Sequence, residues 1–212
     1  AKLFFADILP YFQDPRYEKI DNKPILMIYR PSLFPKNKFV EFVDTLQRLA
    51  KENGFAGLYL TYSNHTQIDG TAEEWRIDAE VEFPPHGILV RATKYLNRLI
   101  PSTNFTVHNM DEFIRQKKYL YEVKLKTFKC CFPGWDNIPR KAWSGGRCYQ
   151  LSDEGFKTWL FDIIKWTKEN NAENEQYVYI NAWNEWAEGA ILEPTVRFGY
   201  KYLSIVKDAI VK

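Results

Sequence analysis

The sequence predicts an α/β fold, namely part of a (β/α)8 TIM barrel that comprises about its last five β/α units with parallel strands. Short apolar segments of β type alternate with longer segments in helical register, and the connections are long enough for parallel pairing. Each predicted strand also ends in polar or aromatic side chains, which is typical of the C-terminal face of such a barrel. A closed barrel needs eight strands. Because the sequence predicts five, we expect either that N-terminal strands are missing from this chain or that the sheet is open.

Length and composition indicate one globular domain over residues 1–212, with no internal repeat and no low-complexity linker. The net charge of +2 is small and the basic residues are spread along the chain, so we expect neither nucleic acid nor a charged membrane surface as a partner. The longest apolar runs, such as residues 25–29, are too short to span a bilayer. The aromatic content of 17% fits a heavy core or ring faces for sugars, and composition does not separate the two.

Cysteine and histidine usage predicts neither a disulfide framework nor a metal site. The cysteines are odd in number and two are adjacent, which favours a reducing compartment. The three histidines are scattered and lack the spacing of zinc ligands. No GxGxxG or P-loop motif follows a predicted strand. We therefore expect no metal and no cofactor.

The first part of the chain is predicted to contain two helices and three strands. Apolar residues recur with helical spacing in the helices, and Gly54 is a natural stop for the second one. Proline or polar turn residues end each β run. The predicted helices cover residues 2–12 and 38–52, and the predicted strands cover residues 25–29, 57–62 and 79–83.

The second part is predicted to contain two further strands and several helices. Residues 90–124 are ambiguous, and we place short helices near residues 91–99 and 111–122. A loop is predicted over residues 143–147, and Ser152 has the position of a helix cap. The other predicted elements are a strand over residues 127–132, a helix from Asp153 to Asn170, a buried strand over residues 177–182 and a helix over residues 198–211.

Polar and aromatic side chains at the predicted strand ends would converge on one site if the sheet is a barrel. Loops are polar in any protein, but five such strand ends together favour a site. These side chains are Tyr29, Arg30, Asn64, His65, Glu82, His86, Trp135, Asp136, Asn137, Asn184 and Glu185.

Glu185 and Glu188 form the most suggestive pair. Residues three apart on a helical turn have Cβ atoms about 5–6 Å apart, and retaining glycosidases place their two carboxyl groups about 5–5.5 Å apart. The alternative is a solvated pair on the first turn of a helix. Trp183 and Trp186 make the surroundings apolar, which would raise the pKa of one carboxyl and give an acid beside a base. Glu193 is a third candidate, with a surface loop as the alternative.

Trp135, Asp136 and Asn137 form a second candidate cluster, in which an indole could stack on a sugar and the polar groups could bind hydroxyls. The alternative is a tight turn, since the segment is rich in turn formers. Glu82 is expected to be buried and therefore to need a ligand or an ion pair, for which Arg30 and Arg140 are candidates. His86 and Arg30 could each bind substrate or have a structural role.

Four motifs together resemble the WbsX family, whose members occur with polysaccharide-biosynthesis proteins and are called glycosyltransferases. They are INAWNEWAEGAILEP (residues 180–194), FPGWDNIPR (132–140), VEFPPHG (81–87) and KPILMIYRP (23–31). The family is similar to glycoside hydrolase family 99, the endo-α-mannosidases, which are TIM barrels that cleave α-mannosides with retention. The motifs follow the family order across nearly the whole chain, and the resemblance covers only the later part of the family domain.

The resemblance implies an enzyme that makes or breaks α-glycosidic bonds in lipopolysaccharide or capsule metabolism. Glu188 would be the acid/base, and Glu185 would help the sugar 2-hydroxyl to attack its own anomeric carbon. Ala187 departs from the histidine often found there in the mannosidases, which puts a mannoside substrate in doubt. The residues implied in substrate binding are Tyr29, Arg30, Glu82, His86, Trp135, Asp136, Asn137, Arg140, Trp183, Asn184, Trp186 and Glu193.

Three questions stay open at the level of sequence. Transfer and hydrolysis are both compatible with the carboxylate pair, although no DxD-like motif marks a sugar-nucleotide site. A non-catalytic glycan-binding module on the same scaffold, or an inactive fragment, is the alternative to an enzyme. We expect an oligo- or polysaccharide as substrate, other polysaccharide-biosynthesis proteins as further partners, and a cytoplasmic or membrane-associated location, or a periplasmic one for a hydrolase.

Overall fold

The computed structural model describes residues 1–65, 68–88, 92–93, 105–141 and 143–211. The fold is a mixed α/β fold with parallel strands. The helices are α1 (Lys2–Gln13), α2 (Lys36–Glu52), α3 (Asp111–Arg115), α4 (Ile138–Lys141), α5 (Asp153–Asn170) and α6 (Lys201–Val211). The strands are β1 (Lys19–Ile20), β2 (Lys23–Ile28), β3 (Tyr59–Ser63), β4 (Ala79–Val81), β5 (Ala92–Thr93), β6 (Phe105–Asn109), β7 (Thr127–Phe128), β8 (Cys130–Cys131), β9 (Trp135–Asp136), β10 (Gly146–Gln150), β11 (Tyr179–Ile180), β12 (Asn184–Glu185) and β13 (Ala190–Ile191).

The chain divides into two compact units. Unit 1 consists of Ala1–Glu82, Val123–Phe128 and Ala172–Gln176. Unit 2 consists of Phe83–Glu122, Lys129–Asn171 and Tyr177–Lys212. The organisation of residues 1–212 as one domain stays a prediction.

Unit 1 is built on a five-stranded sheet in the order β1-β2-β3-β4-β7. The last four strands are parallel, with Ile25 opposite Tyr59 and Thr61 opposite Ala79, and β1 pairs antiparallel to β2. All five residues of β3 are buried, as expected for a central parallel strand. The sequence-predicted strands in this unit are therefore confirmed, with small shifts at their ends.

Helix α2 of unit 1 buries its apolar face, as the sequence pattern predicts. Phe39, Val43, Leu46 and Ala50 recur every three or four residues of α2 and are all fully buried. The helix ends at Glu52, and Gly54 follows it with a φ of +87°, a conformation that glycine adopts without strain. Gly54 therefore has the predicted role of a stop residue.

Unit 2 contains two parallel strand pairs, of which one joins two predicted strands (β8 with β11) and the other (β6 with β10) was not predicted. β6 pairs with β10 in parallel, inside a four-stranded sheet of order β5-β6-β10-β9, and β8 pairs with β11 in parallel. The predicted loop over residues 143–147 was wrong in its last two residues, because Gly146 and Arg147 open β10. Residues 105–109 alternate between apolar and polar side chains, the period of a strand, and form β6.

The structure departs from three helix predictions in unit 2. The helix expected over residues 111–122 ends at Arg115, where the apolar helical spacing also ends. Most of the helix expected near residues 91–99 lies outside the described residues, although residues 92–93 form β5. The helix expected from residue 198 begins at Lys201, after a turn closed by Thr195 and Gly199.

The strand expected over residues 177–182 is shorter and more exposed than predicted. Only Tyr179 and Ile180 form ladder bonds, and both are half-buried. β11 pairs with β8 in a two-stranded sheet. The predicted strand over residues 127–132 is likewise interrupted, at Lys129, and gives β7 and β8.

The core of unit 2 forms around α5. Phe156, Trp159, Leu160 and Ile163 lie on one face of this helix and are buried. The side chain of Ser152 accepts a hydrogen bond from the backbone N–H of Gly155 at 3.0 Å, which confirms the predicted helix cap. Within the described ranges, no helix has both the length and the apolar character needed to cross a membrane.

Candidate functional site

The segment that carries Glu185 and Glu188 is a β-hairpin in unit 2, not the start of a long helix. β12 and β13 pair antiparallel, with Glu185 opposite Ala190, and a 3₁₀ turn (Trp186–Glu188) connects them. Gly189 closes the turn with a φ of +61°. A side chain at this position would be strained, so glycine is required for the hairpin.

Glu185 precedes the turn and Glu188 ends it, and the negative charge of Glu185 acts on the carboxyl of Glu188. Glu185 is exposed, and its Oε1 accepts a hydrogen bond from the backbone N–H of Ala187 at 3.2 Å. Glu188 is more buried, with 26% of its side chain exposed, and it forms an ion pair with the guanidinium of Arg140. The two acids of the pair therefore have different environments.

The electrostatic setting of Glu188 favours its protonated form. Burial is the largest cause, and it raises the pKa of the carboxyl above its ordinary value. The positive charge of Arg140 acts in the opposite direction, the negative charge of Glu185 raises the pKa further, and Lys141 lowers it. The sum is a raised pKa, which is the property expected of a carboxyl that works as an acid.

The segment Trp135–Asn137 packs directly against the hairpin turn. A Cβ atom added to Gly189 would lie 3.3 Å from the backbone nitrogen of Asp136, so these two segments of the chain are closely packed there. α4, which carries Arg140, also contacts the turn. The fold thus assembles two of the sequence-predicted clusters in one place.

The polar groups of this segment also have local structural roles. Oδ1 of Asp136 accepts a hydrogen bond from the N–H of Ile138 at 2.9 Å, at the start of α4. Oδ1 of Asn137 accepts from the N–H of Arg147 at 2.7 Å, and the N–H of Asn137 donates to the carbonyl of Arg147 at 3.0 Å. Trp135 and Asp136 form β9 rather than a tight turn. The tight turn of the alternative is therefore not formed at Trp135 and Asp136, and Asn137 leads directly into α4.

A cavity of about 270 Å³ opens beside these residues in unit 2. Among the described residues, Glu188 lines this cavity and Glu185 does not. The lining residues are Pro85, His86, Trp135, Asn137, Lys141, Gly145, Arg147, Tyr149 and Glu188. The sequence-predicted residues His86, Trp135, Asn137 and Glu188 are thus brought to one cavity.

Two features of the lining bear on what the cavity can hold. Trp135 is only 6% exposed, and its indole N–H is buried without a hydrogen-bond acceptor. The pKa of His86 is lowered, mainly by burial of the ring and further by the positive charge of Arg147. Burial favours the neutral imidazole, which can donate one hydrogen bond and accept another.

The remaining aromatic and polar candidates lie on the hairpin itself. Trp183 and Trp186 are 55% and 62% exposed, and the apolar setting expected from these two indoles stays a prediction, although burial does raise the pKa of Glu188. Trp183 precedes β12, and Trp186 opens the 3₁₀ turn. Asn184 is exposed in β12, and the N–H of Glu193 donates to the carbonyl of Trp183 at 2.9 Å at the open end of the hairpin.

Three of the predicted site residues belong to unit 1. Tyr29 is stacked on the imidazole of His65, with ring centroids 4.3 Å apart. Arg30 is exposed and precedes a short turn (Pro31–Leu33). Glu82 is buried, with 7% exposure, and its N–H donates to the carbonyl of Phe128 at 3.0 Å. The burial of Glu82 was predicted correctly.

The sequence analysis missed Lys141, Arg147 and Tyr149 as cavity residues. Lys141 directly follows Arg140 at the end of α4, and this pair of basic residues was the available signal. Arg147 and Tyr149 lie in β10, which was not predicted as a strand, so their position could not be inferred. Within the described ranges, no three His, Cys, Asp or Glu side chains form a group that could hold a metal ion.

Comparison with known proteins identifies relatives of the chain along nearly its full length. Protein WxcX, an uncharacterised protein of Xanthomonas campestris pv. campestris, is 30% identical over 210 residues in both strain B100 and strain ATCC 33913. The match covers 99% of this chain and 30% of WxcX. The chain therefore spans about a third of the length of these curated relatives.

Solved structures share the fold at low sequence identity. A glycoside hydrolase-like protein superposes with a TM-score of 0.64 at 15% identity, over 98% of this chain and 59% of that protein. The GH99 endo-α-mannosidase of Bacteroides thetaiotaomicron gives a TM-score of 0.58 at 14% identity, over 99% of this chain and 59% of that enzyme. Its complex with bis-tris-propane gives a TM-score of 0.55 at 14% identity, over 100% of this chain and 67% of that chain.

The family comparison is the most direct. The model of the family described as "Glycosyltransferase WbsX" matches residues 1–206. The match includes the hairpin, the Trp135–Asn137 segment and the strands of unit 1. The protein therefore belongs to the WbsX glycosyltransferase family.

Proposed function

We propose that the protein is a carbohydrate-active enzyme that makes or breaks α-glycosidic bonds of surface polysaccharides with retention, and that Glu185 and Glu188 are its catalytic pair. The observation that carries this proposal is the position of Glu188. Its carboxyl has a raised pKa, lines a cavity with Trp135 and Asn137, and shares a turn with Glu185. Family membership and the GH99-like fold support carbohydrate chemistry on this scaffold.

In the proposed first step, the protonated carboxyl of Glu188 donates its proton to the glycosidic oxygen while the bond between that oxygen and the anomeric carbon breaks. Glu185 accepts the proton of the sugar 2-hydroxyl, whose oxygen attacks the anomeric carbon. In the second step an acceptor hydroxyl opens the 1,2-anhydro sugar. Glu188 takes the acceptor proton and Glu185 returns a proton to O2. Two inversions at the anomeric carbon give net retention.

The acceptor in the second step decides whether the enzyme hydrolyses or transfers. Water would give a hydrolase, the activity that the endo-α-mannosidase name denotes, and a sugar hydroxyl would give a transferase, the activity that the family name denotes. Both reactions use the same two carboxylates in the same order. We propose a cytoplasmic or membrane-associated location for a transferase, where it would meet other polysaccharide-biosynthesis proteins, and a periplasmic one for a hydrolase.

The proposal is tested by substitution of the two acids. The protein is assayed with α-linked oligosaccharides from bacterial surface polysaccharides, and the anomeric configuration of the products is followed by ¹H NMR. We expect Glu188→Gln and Glu185→Gln each to lower kcat by roughly 10²–10⁴, because each removes a proton-transfer group.

Glu154→Gln is the matched control, since Glu154 is exposed on α5 and should leave kcat unchanged. Undiminished turnover in Glu188→Gln, or an inverted product, would exclude the proposed mechanism.

A non-catalytic glycan-binding module is the second candidate, and the exposure of Trp183 and Trp186 favours it. Exposed indole faces suit stacking on sugar rings. The same experiment separates the two candidates. A binding module would bind the oligosaccharide by calorimetry, show no turnover in the unsubstituted protein, and lose affinity in Trp186→Ala but not in Glu188→Gln.

A further inference from the structure

The cavity beside Glu188 carries more positive charge than the proposed chemistry requires. Arg140 is already in contact with the carboxyl of Glu188. Lys141 and Arg147 also line the cavity. The positive charge of Lys141 lowers the pKa of Glu188, and that of Arg147 lowers the pKa of His86. In the part of the chain that the structure describes, neither Lys141 nor Arg147 takes part in a salt bridge. Two cations at the cavity are therefore not balanced by an ion pair.

A buried donor at the same cavity lacks an acceptor. The indole N–H of Trp135 has no hydrogen-bond partner, and the residue is more than nine-tenths buried. Buried donors without partners are rare in folded proteins, and each one calls for an explanation. The nitrogen itself has almost no accessible surface, so the indole is a nearby reporter of a molecule in the cavity and not a donor to it.

The neighbouring acid does not account for these groups. Asp136 is adjacent to Trp135, but its carboxylate accepts the N–H of Ile138 and is not among the described residues that line the cavity. Glu188 is the acid that lines the cavity, and its carboxyl already contacts Arg140. The cavity of about 270 Å³ approaches the lower end of the size range of small-molecule pockets, roughly 300–1,000 Å³.

We propose that this cavity is a subsite for an oxyanion carried by the sugar substrate, held by Lys141 and Arg147 beside the indole ring of Trp135. The oxyanion is the carboxylate of a uronic acid or the phosphate of a phosphorylated sugar, because both offer several acceptor oxygens to guanidinium and ammonium donors. This inference rests on the proposed function for Glu188 as the reacting acid, and it adds the substrate class: an acidic rather than a neutral sugar.

The test is a titration of the ¹⁵N-labelled protein, observed at the indole N–H resonance of Trp135, which Trp135→Phe identifies. The probes are D-galacturonate against D-galactose, α-D-glucose 1-phosphate against D-glucose, and inorganic phosphate. We expect at least one acidic sugar to bind on the order of tenfold more tightly than its neutral counterpart. The acidic sugar with the larger preference identifies whether carboxylate or phosphate is recognised.

The variant Lys141→Gln/Arg147→Gln should abolish that preference without unfolding the protein. Arg147 makes both of its hydrogen bonds to Asn137 with its backbone, so the substitution of its side chain leaves them in place. Lys168→Gln/Lys207→Gln is the matched control, with the same change in net charge at exposed positions on α5 and α6, and it should retain the preference.

Several results would overturn the inference. They are equal affinity for acidic and neutral sugars, an acidic preference that survives in Lys141→Gln/Arg147→Gln, and binding of inorganic phosphate with no gain from the attached sugar. Each of them leaves the proposed function intact, because that function is tested separately through the turnover of Glu188→Gln.

Discussion

Glu188 is placed by two segments that are far apart in the sequence. The carboxylate comes from the hairpin turn, and its partner Arg140 comes from α4, 48 residues earlier. Burial raises the pKa of the Glu188 carboxyl and the charge of Arg140 lowers it. Proteins adjust the pKa of a proton-donating carboxyl by such opposing effects. The sequence analysis proposed both residues for the site but not their pairing, since no local pattern links positions this far apart.

The ion pair leads to a prediction about pH dependence. The positive charge of Arg140 lowers the pKa of Glu188, so Arg140→Gln should raise that pKa further. A general acid works in its protonated form, and activity is lost as the pH rises through its pKa. We therefore expect the alkaline limb of kcat/KM to move to higher pH in Arg140→Gln.

The measurement is a pH–rate profile of the unsubstituted protein and the variant. Lys207→Gln serves as the control for a lost positive charge at an exposed site, and its profile should not move. An alkaline limb that stays in place or moves to lower pH in Arg140→Gln would show that Glu188 is not the acid.

The hairpin of β12 and β13 is the element that presents both acids. The sequence predicted a helical turn for Glu185 and Glu188, and the structure has a single 3₁₀ turn between two short strands. An ExxE spacing fits both an α-helical turn and a 3₁₀ turn. Gly189 and the Asp136 backbone decide between them, and their contact is not visible in the sequence.

We predict that Gly189→Ala destabilises the protein more than an ordinary glycine substitution. A left-handed residue with a side chain costs about 1–2 kcal/mol. At Gly189 the added methyl would also press on Asp136, at 3.3 Å from its backbone nitrogen, which adds about 1 kcal/mol or more. Kcat should fall as well, because the turn carries both acids.

Gly199→Ala is the control, because Gly199 has a similar φ of +54° and nothing within 4 Å of an added Cβ. Chemical denaturation of both variants gives the two losses in free energy of unfolding. Equal losses would mean that the hairpin and the Trp135–Asp136 strand are not in contact.

Other elements differ in how well their sequences predicted them, and the reason is the length of the repeating pattern. α2 and α5 were predicted well because Phe39, Val43 and Leu46, or Phe156, Leu160 and Ile163, repeat an apolar position over several turns. β10 has only five residues and begins at Gly146, which sequence reasoning assigns to a loop. Its pairing with β6 depends on a segment some 40 residues away, as the register of Gly146 with Phe105 shows.

At the scale of the whole molecule, the parallel strands and family motifs were predictable, and the arrangement of charge was not. The motifs 132–140 and 180–194 were quoted for their resemblance, and in unit 2 they pack on each other. Lys141 and Arg147 belong to no motif that the sequence analysis used, yet they set the charge of the cavity. Their role emerges only when α4, β10 and the hairpin are folded together.

The pKa of Glu188 depends on several segments at once, because it responds to burial and to the charges of Arg140, Glu185 and Lys141. The most direct test of the paired-acid site is therefore a ¹³C NMR titration of the Glu188 carboxyl in the unsubstituted protein and in Glu185→Gln. The account predicts a pKa above the ordinary glutamate value that falls when the negative charge of Glu185 is removed. A carboxyl that titrates at or below the ordinary value, and does not respond to Glu185→Gln, would contradict it.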